Sequence, residues 1–285
     1  MGRCGTNSVQ RTERRDHTRR RAFAELILVL FLPLTLVARP AGDSLAVFQP
    51  GEELYYNVSY GGLNIGQVHV RITGSSGTGA ATTYTARVTM DSYPGLPFVN
   101  LHSVYEDSIA SPCHARWFTS RTRDDDRWLT STYTFDYPGR RLFVDRGIWK
   151  SRVDHRDTLR LDAPHQDGLS LFFFARANMI PGRRYRVPTV VSEKQGITTL
   201  VVAGGRSAES VDAIEYPVDV LSCEGDAGFV GVFGFTGHFE GWFSNDAARV
   251  PILARLHVIL GTVRLELMKW SRPGWVPPRA PGKEQ

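Results

Sequence analysis

The sequence predicts an all-β protein, mainly antiparallel, with a strongly curved sheet or incomplete β-barrel and one buried helix near residues 169–180. Apolar and polar residues alternate with a period of two over most of the chain, which is typical of strands that bury one face. A single segment has the apolar content and end signals of a helix. A two-sheet β-sandwich is the alternative that the same pattern allows.

The strand pattern starts near residue 48 and continues on both sides of the predicted helix. Glycine-rich turn signals separate the strand-like segments. No linker interrupts the pattern, so we expect a single β domain over residues 48–270. The alternating segments are Leu54–Tyr60, Val68–Ile72, Tyr84–Met90, Ile214–Val220 and Val263–Leu267.

The predicted helix runs from Leu169 to Ile180 and contains three consecutive phenylalanines. Asp167 or Ser170 could cap its start, and Pro181-Gly182 ends it. Because it is apolar nearly all round, we expect it to be buried against the sheet. Residues 271–285 contain four prolines and several charges, which predicts a flexible tail.

The amino terminus has the pattern of a secretory leader. Arg19–Arg21 precede the apolar block Leu26–Ala38, which is shorter than the ~20 apolar residues that span a bilayer. We therefore expect residues 1–41 to be a signal peptide and the rest to be periplasmic or otherwise extracytoplasmic. The alternative is an uncleaved inner-membrane signal anchor, in which the leader makes the only membrane contact.

Most of the net charge of +5 belongs to this leader. Residues 1–38 contain seven arginines and three acids, so the remainder has 27 basic and 26 acidic residues, a net charge of +1. Nucleic-acid binding therefore loses its electrostatic basis.

Three sequence blocks carry a resemblance to a known family: Gly51–Gly62 with Ile65-Gly66, Asp167–Ser170 with Pro181-Gly182, and Trp242–Asp246 with Arg249–Pro251 and Gly261. In this order and spacing, they resemble the bacterial domain-of-unknown-function family number 3108. Together they cover about residues 48–270. The resemblance implies an exported, mostly β protein of Gram-negative bacteria. It implies no reaction and no catalytic residue.

The chain contains no recognisable catalytic, nucleotide-binding or metal-binding motif, so we assign no catalytic residue, metal or cofactor. Asp124–Asp126 lie between two strand-like segments, which favours an acidic turn over a calcium site. Asp154–Asp157 are interpreted as a solvated polar edge. Helix capping accounts for Asp167 and Ser170 more simply than an activated serine does.

The strongest candidate for a binding surface is the segment 229–243, where phenylalanines alternate with glycines. Core packing is the interpretation we favour here, and a groove for an acyl chain is the functional alternative. Trp242, Asp246 and Arg249 form either a buried brace at a tight turn or a ligand-contacting patch. The ligand-binding candidates are Phe229, Phe233, Phe235, Phe239, Trp242, Asp246 and Arg249.

Two cysteines, Cys113 and Cys223, follow the leader. In an oxidising compartment they could form a disulfide. Two small buried apolar residues are the other interpretation.

The favoured function is a non-enzymatic envelope domain that binds an apolar or amphiphilic ligand, or an envelope protein, on its concave face. A cavity beside segment 229–243 would support it. One alternative is a structural or assembly module whose concave face is filled by the helix. The other is a hydrolase of envelope polymers, which requires two acids, or an acid and a histidine, converging in a cleft.

Overall fold

The fourteen strands of the described chain form one antiparallel sheet that curves without closing. The computed structural model describes residues 47–96, 100–227 and 235–282. The strands are β1 (Glu53–Tyr60), β2 (Leu63–Ser76), β3 (Thr83–Ser92), β4 (His102–Ala110), β5 (His114–Asp124), β6 (Arg127–Asp136), β7 (Arg141–Ile148), β8 (Arg152–Arg160), β9 (Arg184–Val191), β10 (Lys194–Glu209), β11 (Val218–Asp226), β12 (Phe235–Ser244), β13 (Pro251–Val258) and β14 (Gly261–Ser271).

The sheet consists of two meanders joined in the middle. β1 pairs with β2 on one side and with β14 on the other, so the order is β8-β7-β6-β5-β4-β3-β2-β1-β14-β13-β12-β11-β10-β9. The edges are β8 and β9, and the segment between them contains α1 (Ser170–Ala177). The predicted curved antiparallel sheet with one helix is confirmed. The two-sheet sandwich is wrong, since every strand belongs to one hydrogen-bonded sheet.

Helix α1 lies on the inner face of the sheet, where it contributes to two apolar clusters. Phe173 is fully buried in the larger cluster, edge-on to the Phe48 ring at 5.4 Å between centroids. Ala175 and the nearby Met179 belong to the second cluster, with Leu200, Val202, Leu221, Cys223 and Phe243. The helix therefore fills the inner face.

Two sequence-predicted boundaries are wrong. The helix ends at Ala177 instead of Ile180, because the backbone of the C-cap residue Asn178 leaves helical geometry, and the Asn178 side-chain amide donates back to the Phe174 carbonyl. The strand predicted from Ile214 begins only at Val218. Pro217 precedes it without a backbone donor, and Ile214 instead enters the core from a turn.

A buried ion network joins α1 to the chain segments that flank the two central strands, β1 and β14. Glu52, just before β1, accepts hydrogen bonds from Arg176 of α1 and from Arg272 beyond β14. Arg176 is 0% exposed and also donates to the carbonyls of Val47 and Ala248. Burial alone would raise the pKa of Glu52, but the two arginines together hold it below its usual range.

The part of the predicted tail that the structure describes, residues 271–282, contacts the sheet. Trp275 packs edge-on against Trp270 at 5.7 Å between centroids and donates its Nε1–H to Asp246 at 2.8 Å. Further on, the Pro278 carbonyl accepts the Asp219 N–H and Arg279 forms a β-bridge with Val218. Proline removes backbone donors but leaves carbonyls and aromatic neighbours free to bind the sheet.

The predicted leader, residues 1–41, lies outside the described residues. Within the part of the chain that is described, no helix has the length and apolar character needed to cross a membrane.

Candidate functional site

The phenylalanine segment contributes to the core of the protein. Phe239 and Phe243 pack in the cluster beneath α1, where Phe243 is buried. A side chain at Gly225 would collide with the ring of Phe239, its partner on the neighbouring strand, so that ring lies directly over Gly225. Phe229 and Phe233 lie outside the described residues, and Phe235 begins β12. The binding groove predicted on this concave face is therefore filled where the structure describes it.

Asp246 braces the turn after β12, although its partners differ from those expected. One carboxylate oxygen accepts from Ser244 Oγ and from the N–H groups of Ala248 and Arg249, at 2.8–3.2 Å. The Arg249 guanidinium donates to Ser244 and Asn245 instead of Asp246.

Trp242 is buried and lies beneath the guanidinium of Arg255, 4.7 Å from its ring centroid. Together with Asp246 and Arg249, which support the adjacent turn, it has a packing role.

Cys113 and Cys223 are free thiols buried in different clusters, so the disulfide is not formed. Burial raises the pKa of both thiols, and the charge of Asp107 adds to the effect at Cys113. They behave as small apolar residues.

The acidic clusters lie where the simpler interpretations placed them. Asp124–Asp126 form the β5–β6 hairpin turn, where Asp124 pairs with Arg127 at 2.9 Å. The segment 154–157 is exposed on edge strand β8. The described residues contain no metal-ligand cluster.

Two buried carboxylates that the sequence analysis did not pair lie at the start of α1. Asp167 is fully buried and caps the helix, accepting the N–H groups of Leu169 and Ser170 at 2.8 and 3.0 Å. Asp107 of β4 is 1% exposed, and neither of its oxygens has a hydrogen bond of normal geometry. The alternation of β4 could have predicted the burial of Asp107. Tyr105 and Ile109, two positions away on either side, face the core, so Asp107 lies on the same face.

Burial controls the ionisation of both acids. It raises the pKa of Asp167 to about 6, although the helix-capping hydrogen bonds oppose the shift. Burial raises the pKa of Asp107 well above its usual range, and the charge of Asp167 adds to this. Because both groups are sealed inside the protein, they are not positioned to meet a polymeric substrate.

We expect Asp107→Asn to stabilise the protein at pH 8, because it removes the cost of ionising a buried carboxyl group. A buried acid with a raised pKa costs stability as pH rises from about 4 through its folded-state pKa. Removing it should therefore flatten the fall in melting temperature between pH 4 and 8. Thermal denaturation across this range measures the effect. Asp126→Asn, at an exposed position in the β5–β6 turn, is the control and should leave the pH dependence unchanged. A steeper pH dependence for Asp107→Asn would contradict the assignment.

The opposite, outer face of β4–β6 carries an open groove of about 440 Å³, which we call the outer groove. Phe118 of β5 and Tyr133 of β6 point into the core. Their immediate neighbours along each strand therefore point outward. The groove is lined by Glu106, Trp117, Thr119, Arg121, Thr130 and Thr132 and by the β7–β8 turn, residues 148–153.

The strand register assembles this surface. β5 and β6 pair Trp117 with Thr134 and Thr119 with Thr132, and the two hydroxyls of the second pair lie 3.2 Å apart. The ring of Trp117 is 37% exposed. Trp117, Thr119 and Arg121 follow one another at every second position of β5. The distance along the strand from Trp117 to Arg121 is therefore about 13 Å.

The β7–β8 turn closes one end of the outer groove. A bulge at Gly147 bends the hairpin, and the Trp149 N–H donates to the Trp128 carbonyl at 2.8 Å, which anchors the turn on β6. Arg121 and Lys150 both lie over the Trp149 ring, at 5.0 and 4.4 Å from its centroid. The groove thus has an aromatic platform at one end, hydroxyls in the middle and cations at the other end.

Comparison with known proteins gives a family but no activity. The family model described as protein of unknown function (DUF3108) matches residues 55–268, which confirms the predicted resemblance. One similar solved structure is a β-barrel-like protein of family DUF1849 from Brucella abortus, with 10% identity, coverage of 77% of this chain and 96% of that chain, and a TM-score of 0.48. Among the curated proteins, none matches this sequence.

A second solved structure is a candidate exported protein with a YmcC-like fold from Bacteroides fragilis. It has 9% identity, coverage of 79% of this chain and 97% of that chain, and a TM-score of 0.33.

Proposed function

Since the chain belongs to the DUF3108 family of proteins of unknown function, we propose from its own geometry that it is an extracytoplasmic, non-enzymatic domain that binds a saccharide chain in the outer groove. The single observation that carries this proposal is the exposed Trp117 ring beside a row of threonine hydroxyls on an otherwise well-packed sheet. The basic and apolar leader supports an extracytoplasmic location.

The chemistry of the outer groove suits a sugar better than a lipid. An indole ring offers a flat apolar surface, which matches the C–H face of a pyranose ring. Thr119, Thr130 and Thr132 supply hydroxyls that both donate and accept hydrogen bonds, as sugar hydroxyls do. An acyl chain would cover the polar and charged groups of the groove without offering them a hydrogen bond, although Thr119 and Thr132 already share one with each other.

The filled inner face argues against the apolar ligand expected from the sequence. Phe173, Phe239 and Phe243 occupy the space beneath and around α1. An acyl chain on that face would have to displace packed core side chains.

A purely structural or assembly module is the second candidate function. The filled inner face and the docked tail, whose Trp275 binds Asp246, support it. The two candidates differ over the outer groove, which a structural module has no need to keep open. The hydrolase alternative has its best acids in Asp107 and Asp167, but both are buried away from solvent.

Isothermal titration calorimetry with defined tetrasaccharides tests the proposal. The panel contains chitotetraose, cellotetraose and tetragalacturonic acid in its free and methyl-esterified forms. At least one should bind the wild-type protein, and Trp117→Ala should weaken that binding by about tenfold or more. Leu260→Ala, an exposed apolar residue in the β13–β14 turn, is the matched control and should bind like wild type. Absence of binding to the whole panel would overturn the proposal and favour the structural module.

A further inference from the structure

We infer that the ligand of the outer groove is an acidic saccharide, whose carboxylate is recognised by Lys150. This inference rests on the proposed function and specifies the class of its ligand. It is carried by the charge of one hairpin, by the partners of its cations and by the position of Lys150 in the outer groove.

Positive charge is concentrated on the β7–β8 hairpin. Residues 139–160 contain seven basic and three acidic side chains, a net charge of +4, whereas the chain beyond residue 38 has a net charge of only +1. At one end of this hairpin lie Lys150 and Arg152, which line the outer groove. At the other end, Arg140, Arg141 and Arg160 line a second depression of about 410 Å³. Of these cations, Lys150 and Arg152 lie where a ligand in the outer groove would meet them.

Several cations of the groove already have acidic partners within the protein. Arg121 binds Glu106 at 2.6 Å, and Arg87 lies 3.5 Å from the same carboxylate. Arg152 pairs with Asp154 at 2.5 Å. Two arginines thus share the single carboxylate Glu106, which leaves an excess of positive charge beside the threonine row.

Lys150 differs from these arginines. Among the described residues, no carboxylate lies within ion-pair distance of its ammonium group, which instead sits 4.4 Å above the Trp149 ring. Its backbone has a φ of +58°, a conformation that costs energy for a lysine. The anchored turn holds it there beside the groove. An ammonium held at a groove wall without a counter-ion is a recognition element for an anion.

A carboxylate attached to a sugar ring fits the whole groove. The ring would stack on Trp117, its hydroxyls would face Thr119 and Thr132, and its carboxylate would reach Lys150. A nucleic acid fits the overall charge less well, because outside this hairpin the chain beyond residue 38 has a net charge of −3.

The test compares tetragalacturonic acid with its fully methyl-esterified form, which has the same ring, length and hydroxyls but no charge. By calorimetry at low ionic strength, the acid should bind the wild-type protein about fivefold to tenfold more tightly than the ester. Lys150→Gln should remove most of this preference while leaving binding of the ester unchanged. Lys194→Gln, which removes a lysine outside the groove, should keep the preference. Raising the salt concentration should weaken binding of the acid alone.

The outcomes separate this inference from the proposed function. The inference is overturned if the acid and the ester bind equally or if the ester binds more tightly. It is also overturned if the preference for the acid survives Lys150→Gln. In each case saccharide binding itself still stands. If neither form binds while a neutral tetrasaccharide does, the inference again fails and the proposed function stands. If no member of the panel binds, the proposed function itself fails.

Discussion

Replacing Glu52 with glutamine is expected to lower the free energy of unfolding by about 3–5 kcal/mol, as measured by chemical denaturation at pH 7. Arg176 is wholly buried and Arg272 nearly so, and both would lose their counter-charge. A domain of this size has only about 5–15 kcal/mol of net stability. The loss would therefore be a large fraction of the total.

Glu53→Gln is the matched control for this change. Glu53 is adjacent in sequence, but its side chain is 25% exposed and pairs at the surface with His69 and Arg71. Ion pairs of this kind contribute about 1 kcal/mol or less. If Glu52→Gln proved as mild as Glu53→Gln, the buried arginines would have to reach water, and the sealed network described here would be wrong.

Phe173→Ala is expected to cost about 3–5 kcal/mol of stability, because it empties a fully buried site between α1 and the sheet. Its ring contacts Phe48 and Phe172 edge-on, at 5.4 and 5.6 Å between centroids. Thermal and chemical denaturation should both show the loss.

Phe172→Ala provides the internal comparison, since this neighbouring ring is only half-buried. We expect it to cost about half as much as Phe173→Ala. Equal costs for the two substitutions, or a larger cost at Phe172, would mean that α1 is rotated relative to the face described here.

The sequence predicts the local structure of this protein well, because each strand carries its own alternation. Val68–Ile72 and Val263–Leu267 lie in β2 and β14, whose buried positions include Val68, Val70 and Leu267. The family resemblance was equally readable from short motifs. The predicted helix end failed at Asn178, where the backbone leaves helical geometry and the side-chain amide binds the Phe174 carbonyl, and the contact of Trp275 with Asp246 had no signal in the sequence.

The functional surface was much harder to predict, because it depends on how strands pair. Alternation alone places Trp117, Thr119 and Arg121 on one face of β5. It does not reveal that Thr132 lies opposite Thr119, or that the β7–β8 turn brings Trp149 over Arg121. Arg176 was missed for a related reason, since its burial depends on Glu52, which is 124 positions away in sequence.

The most direct test of the account is hydrogen–deuterium exchange of the protein with and without the tightest-binding tetrasaccharide of the panel. The central claim is that the ligand lies in the outer groove while α1 fills the inner face. Peptides covering residues 117–121 and 148–153 should exchange more slowly in the complex, and peptides covering α1 and residues 239–243 should be unchanged. Protection confined to α1 and residues 239–243 would place the ligand on the inner face and contradict the claim.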